Sequence, residues 1–152
     1  MSILAQFSTD NDPGSEAICW ATGGEFSHVD VIVPGGLLGA RMKGGVMVRA
    51  LNYKTFTKKA IVSVDVPNEA AARAFLYAQI GKPYNTEAII DMIFHRQRNF
   101  FLEQPKWFCD ELLYSAVEEG GVMLLSTANP LTLTPWEVFL SPYWKPVPQE
   151  TP

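Results

Sequence analysis

The stretch that most constrains this chain is Trp107–Gly121. Leu112, Leu113, Ala116 and Val117 recur at helical spacing and form one apolar stripe. Cys109 lies three and four residues before the two leucines, so it opens the helix on the same inward face. Asp110 and Glu111 suit the positive end of the helix dipole, and Gly120 or Gly121 supplies a left-handed stop. Two readings of Cys109 follow. It is a small buried hydrophobe, as free cysteines usually are, or it is a nucleophile whose thiolate is favoured by the dipole and the unpaired N–H groups of the first turn.

The segments before this helix predict strands. Ser27–Val33 is the clearest: Val29, Val31 and Val33 point one way, and His28, Asp30 and Ile32 the other. Ser2–Phe7 reads as a short first strand, and Ala60–Val66 as another with an alternating pattern. Leu37–Ala40 and Val46–Ala50 read as hairpin arms around Lys43-Gly44-Gly45. Ser15–Thr22 reads as a short helix capped by Ser15 and ended by Gly23-Gly24, with Cys19 serving packing. Asn68 caps a helix over Glu69–Ile80, and a further helix is expected near Thr86–His95. Val122–Leu125 reads as a strand or a buried turn. Thr134-Pro135-Trp136-Glu137 is a capping box with proline at the first helical position, so a short helix follows to Leu140. The Pro-rich tail from about 142 is expected to be extended and frayed. The expectation is one α+β domain over residues 1–152, with a small antiparallel sheet or partial barrel packed on helices.

Composition excludes several classes. With 47% hydrophobic and 18% charged residues among 152, the chain is not disordered. A net charge of −4 and no basic run argue against a nucleic-acid partner. No apolar run is long enough to span a membrane, and Met1–Phe7 lacks a basic n-region, so the chain reads as cytoplasmic as synthesised. Two cysteines make no disulfide framework, although Cys19 and Cys109 could pair, and no zinc spacing is present. Neither a metal nor an organic cofactor is expected, and the oligomeric state is not legible.

A thiol nucleophile needs a base and a pair of oxyanion donors. His28 is the candidate base, set against the ordinary reading of a lone strand histidine as structural. Sequence distance alone does not bring it to Cys109. Here the chain resembles the circularly permuted NlpC/P60 group of papain-like thiol hydrolases, which includes YiiX-like and YaeF-like proteins. The resemblance rests on the order of Ser27-His28-Val29-Asp30-Val31, Gly81-Lys82-Pro83-Tyr84-Asn85, Phe108-Cys109-Asp110-Glu111-Leu112 and Leu133-Thr134-Pro135. It spans about Ile18 to Leu140 and implies a papain-like fold, Cys109 as nucleophile and His28 as base. It also implies a third, orienting polar residue on the following strand, where this chain carries Gly39. Asp30, on the face of His28, is the candidate replacement, with a solvated strand carboxylate as the plain alternative. Tyr84 is a candidate cleft residue; Asp110 and Glu111 are read as helix-start charges.

The implied activity is cleavage of an amide bond in a peptide or acyl substrate, with peptidoglycan stem peptides the substrate the relatives suggest. Such domains occur in bacteria and their phages. A cell-wall target would require delivery by another system. Two alternatives stand beside this reading. One is a lipid or acyl-ester hydrolase or acyltransferase on the same scaffold, for which Phe100-Phe101-Leu102 would line a greasier groove. The other is a non-catalytic binding or virion-assembly module, which the glycine at position 39 favours.

Overall fold

The computed structural model describes residues 1–86, 107–126 and 133–148. β1 is Ser2–Thr9, α1 Pro13–Thr22, β2 His28–Val33, β3 Gly36–Arg41, β4 Gly45–Arg49, β5 Lys58–Asp65 and α2 Glu69–Ala78. The cysteine helix, α3, is Cys109–Glu119; α4 is Pro135–Phe139, and β6 is Lys145–Pro146. The result is an α+β fold with an open six-stranded antiparallel sheet in the order β4-β3-β2-β1-β5-β6.

Strand alternation divides the sheet into two chemically different faces. Phe7 lies across from Val29, Ala5 from both Val31 and Val62, and Leu38 from Val31. These side chains form one buried apolar face, against which α2 and α3 lay Ala72, Leu76, Leu112, Leu113, Ala116 and Val117. The opposite set is polar at its centre: Gln6 pairs with Asp30 and Ser8 with His28, and all four are buried. The sheet therefore has an oily face that carries the helices and a polar face whose buried groups need partners.

The β2–β3 hairpin turns at Pro34-Gly35, where Gly35 has φ 92, a backbone conformation that a side chain would strain. Asp12, not Ser15, caps α1, because the helix starts two residues earlier than the pattern suggests and Asp12 accepts the Ser15 N–H at 2.8 Å. The Thr134 capping box forms as the residues imply, with Glu137 N–H donating to Thr134 Oγ1 at 3.2 Å and Thr134 N–H to Glu137 Oε2 at 2.8 Å. Gly121, at φ 97, takes the left-handed position after the cysteine helix. Residues 122–123 are irregular and 124–125 form a bend, with Leu124 buried. The tail departs from expectation: Lys145 and Pro146 pair with Ser63 and Val62, and Lys145 forms an ion pair with Asp65. The expected helix at 86–95, beyond Thr86 itself, and the segment at 100–102 lie outside the described residues.

Candidate functional site

The site gathers at the start of β2. His28 is the first residue of that strand, and its Nε2 lies 2.8 Å from Asp30 Oδ1. Residues two apart on a strand are separated by about 6.5–7 Å along the backbone, so Asp30 has to lean to make this contact. Gly39 on β3 is what lets it. A Cβ built at Gly39 would sit 1.9 Å from Asp30 Oδ1. The carboxylate of Asp30 thus fills the side-chain space that Gly39 leaves empty. An acid expected at position 39 is replaced in space by one reaching across from position 30.

Asp30 is fully buried and holds further partners on its other oxygen. Arg41 Nη2 and the Tyr53 hydroxyl each lie 3.5 Å from Oδ2. Burial pushes this carboxyl upward, but His28, Arg41 and Arg49 together outweigh it, and the net direction is below the usual carboxylate range. For His28 the balance goes the other way. Desolvation dominates and pushes the imidazole below its ordinary value, with Arg41 and Arg49 adding to it, against the pull of Asp30. The pair rests as a carboxylate accepting from a neutral imidazole.

Cys109 begins α3, after an extended Phe108 at the N-cap. Phenylalanine offers no capping oxygen, so only half of a capping box forms: Phe108 N–H donates to Glu111 Oε2 at 3.3 Å. Asp110 and Glu111 are buried, not solvated. The Val29 N–H, in the peptide that joins Val29 to His28, lies near enough to act on the charge of the Cys109 sulfur. Asp30 and Arg41, the groups that act on His28, also act on the charge of this sulfur. Residues far apart in sequence are thereby neighbours around one end of β2. The sulfur and the imidazole make no hydrogen bond to each other among the described residues.

Two features differ from the sequence expectation. A helix N-terminus favours thiolate, yet the Cys109 thiol is pushed well above its ordinary value. Burial is the main cause, Asp110 and Asp30 reinforce it, and the Val29 N–H opposes it. Cys109 is also only 2% exposed. Cys19 and Cys109 are both free, so the pairing that sequence left open is not made.

A cleft of about 520 Å³ opens beside His28 on the polar side of the sheet. Ser27, Arg41, Lys43, Tyr53 and Tyr84 are among its walls, and Cys109 is not. Tyr84 reaches it from the loop after α2, bridged to Trp107 and packed on Phe108 at 5.7 Å between ring centroids. The Tyr84 expectation therefore holds, whereas Arg41, Arg49 and Tyr53 were missed. Their signal in sequence is faint, because Arg41 shares the His28 face only once the β2–β3 register is known. Arg41 lies over the Tyr53 ring at 5.1 Å and near Phe56 at 5.9 Å. Arg49 donates to the carbonyls of Gly39, Lys43 and Gly45 at 2.8–3.0 Å and so ties down the hairpin tip.

No protein-family model and no curated protein matches this sequence. Among solved structures, the chain is similar to the metalloprotein yiiX from Escherichia coli O157:H7, described as DUF1105, with a TM-score of 0.68 and 17% identity. The match covers 100% of this chain and 98% of that one, and it shows a YiiX-like fold. Among the described residues no group of three or more His, Cys, Asp or Glu could hold a metal ion. The His28–Asp30 pair is a poor nucleus for one, since the second Asp30 oxygen already faces the Arg41 guanidinium. Among the described residues no helix is long and apolar enough to cross a membrane.

Proposed function

We propose that this chain is a thiol hydrolase of the permuted NlpC/P60 kind, cleaving an amide bond with Cys109 as nucleophile, His28 as base and Asp30 as the residue that orients the imidazole. The observation that carries the proposal is the Asp30 carboxylate seated over Gly39 and bound to His28 Nε2 at 2.8 Å. It supplies the third polar group from a neighbouring position and leaves Nδ1 free to serve the sulfur. In the reaction His28 removes the Cys109 thiol proton as the sulfur adds to the carbonyl carbon. First-turn N–H groups of α3 hold the oxyanion. His28 then gives the proton to the departing amine, leaving an acyl-thioester. Water, deprotonated by His28, displaces the thiol and releases the acid. Burial favours the neutral form of both the thiol and the imidazole, so a base has to take the thiol proton for the sulfur to attack. Peptide substrates of the cell-wall type fit this chemistry.

A second reading is favoured by the burial of Cys109 and its absence from the cleft walls: a binding module that keeps the fold without the reaction. Incubation with a thiol-reactive acyl probe, followed by peptide mass spectrometry, separates the two. The hydrolase reading expects an acyl mass on the Cys109 peptide that disappears in His28→Ala. A Cys109 that stays unmodified, or is modified equally in His28→Ala, leaves only the binding module.

A further inference from the structure

The charge around the cleft is at odds with the charge of the chain. The protein carries a net −4, yet Arg41, Lys43, Arg49 and Lys54 all line this one opening, against the single carboxylate of Asp12. The four cations are not equally free. Lys54 is neutralised by Asp10 and Asp12 at 2.7 and 2.6 Å. Arg49 spends its N–H groups on hairpin carbonyls. Lys43 has no ion pair among the described residues and is exposed at the hairpin tip. Arg41 lies over the rings of Tyr53 and Phe56, and among the described residues its one polar contact is the long 3.5 Å approach of Nη2 to Asp30. A guanidinium over two aromatic rings, with hydrogen-bonding capacity unspent and an exposed ammonium nearby, suits a planar or tetrahedral oxyanion.

We infer that the cleft takes an anionic substrate group, a carboxylate or a phosphate, held by Arg41 and Lys43 next to His28. This names the substrate class of the site proposed above and rests on that reading. The charged group would anchor the substrate in the cleft beside His28. The low-dielectric walls strengthen the attraction, and salt weakens it where Lys43 meets solvent. Among acyl compounds the site thereby selects those carrying a negative charge near the scissile bond, and a neutral isostere loses the anchor.

The test needs no catalysis. His28 is one of two histidines in the sequence, so its ring signals can be assigned by comparison with the His28→Gln protein. Succinate, its neutral analogue succinamide and inorganic phosphate are each titrated at low salt into the full chain. The inference expects saturable shifts of the His28 signals with succinate or phosphate, whichever matches the natural anion, and none with succinamide. It expects about tenfold weaker binding in Arg41→Gln and a few-fold loss in Lys43→Gln. Because Arg41→Gln also disturbs Asp30, the exposed Lys43→Gln is the arm that cannot be blamed on folding. Equal response to succinamide, no saturable response to either anion, or affinity undiminished in both variants overturns the inference. Anion binding without acyl labelling of Cys109 would retain the anion site and defeat the hydrolase reading; labelling without anion binding would do the reverse.

Discussion

The two cysteines of this chain are the same residue in opposite circumstances. Cys19 lies in the body of α1, half-buried, its sulfur 3.6 Å from the Thr9 hydroxyl. Cys109 is the first residue of α3, almost wholly buried, and the Val29 N–H and the charges of Asp30 and Arg41 act on its sulfur. Access to solvent alone would make Cys19 the reactive thiol. Only the neighbourhood built by β2 and β3 can make it Cys109. The contrast is one of surroundings: charged groups of β2 and β3 act on Cys109, whereas the Thr9 hydroxyl sits beside Cys19.

The strongest way to break the contrast is to remove the base. In His28→Ala the rate of Cys109 acylation is expected to fall about 10²- to 10⁴-fold while modification of Cys19 is unchanged, measured by site-resolved mass spectrometry. Removing the orienting group comes next. Asp30→Ala leaves His28 and Arg41 without their buried partner, so the chemical-denaturation free energy is expected to drop by about 3 kcal/mol, with slower Cys109 labelling in the fraction that folds.

A smaller effect is expected at Gly39. Any β-carbon there collides with Asp30 Oδ1, so Gly39→Ala should cost about 1–3 kcal/mol in denaturant melts and slow Cys109 labelling without touching Cys19. Acid stability sharpens the picture further. The folded imidazole of His28 titrates below its ordinary value, so on acidification the unfolded chain takes up that proton first, from about pH 6.5 downward. Asp30, held below the carboxylate range, stabilises above its unfolded value near 3.9 and loses that contribution as pH falls toward its folded one. Stability should decline on both counts as pH drops, and the upper part of the decline should vanish in His28→Gln. The mildest change is Thr134→Ala, which removes a hydrogen-bonded cap, costs about 1 kcal/mol and leaves labelling of both cysteines as it was.

Local patterns carried most of the fold. Valines alternating in Ser27–Val33 and leucines at helical spacing after Cys109 needed no tertiary knowledge, and the elements they announce are present. Caps were less reliable, because Asp12 and Ser15 both offer a capping oxygen and the choice depends on where Pro13 starts the helix. The tail was misread for a different reason: Lys145 and Pro146 are an edge strand only because β5 has an unpaired side to receive them. At the site, His28, Asp30 and Cys109 could be nominated from residue type and order. How Asp30 reaches His28 could not, since it depends on the space above Gly39. The raised thiol was illegible for the same cause, as burial and the charge of Asp110 and Asp30 override the helix terminus.

The most direct measurement is the pH dependence of Cys109 acylation in a Cys19→Ser background. If His28 acts as base on a neutral thiol, the rate rises along an acid limb set by the imidazole, below about pH 6.5, and that limb is absent from the Cys19→Ser, His28→Gln protein. A single rise in the alkaline range, identical with and without His28, would mean that the sulfur and the imidazole do not work together.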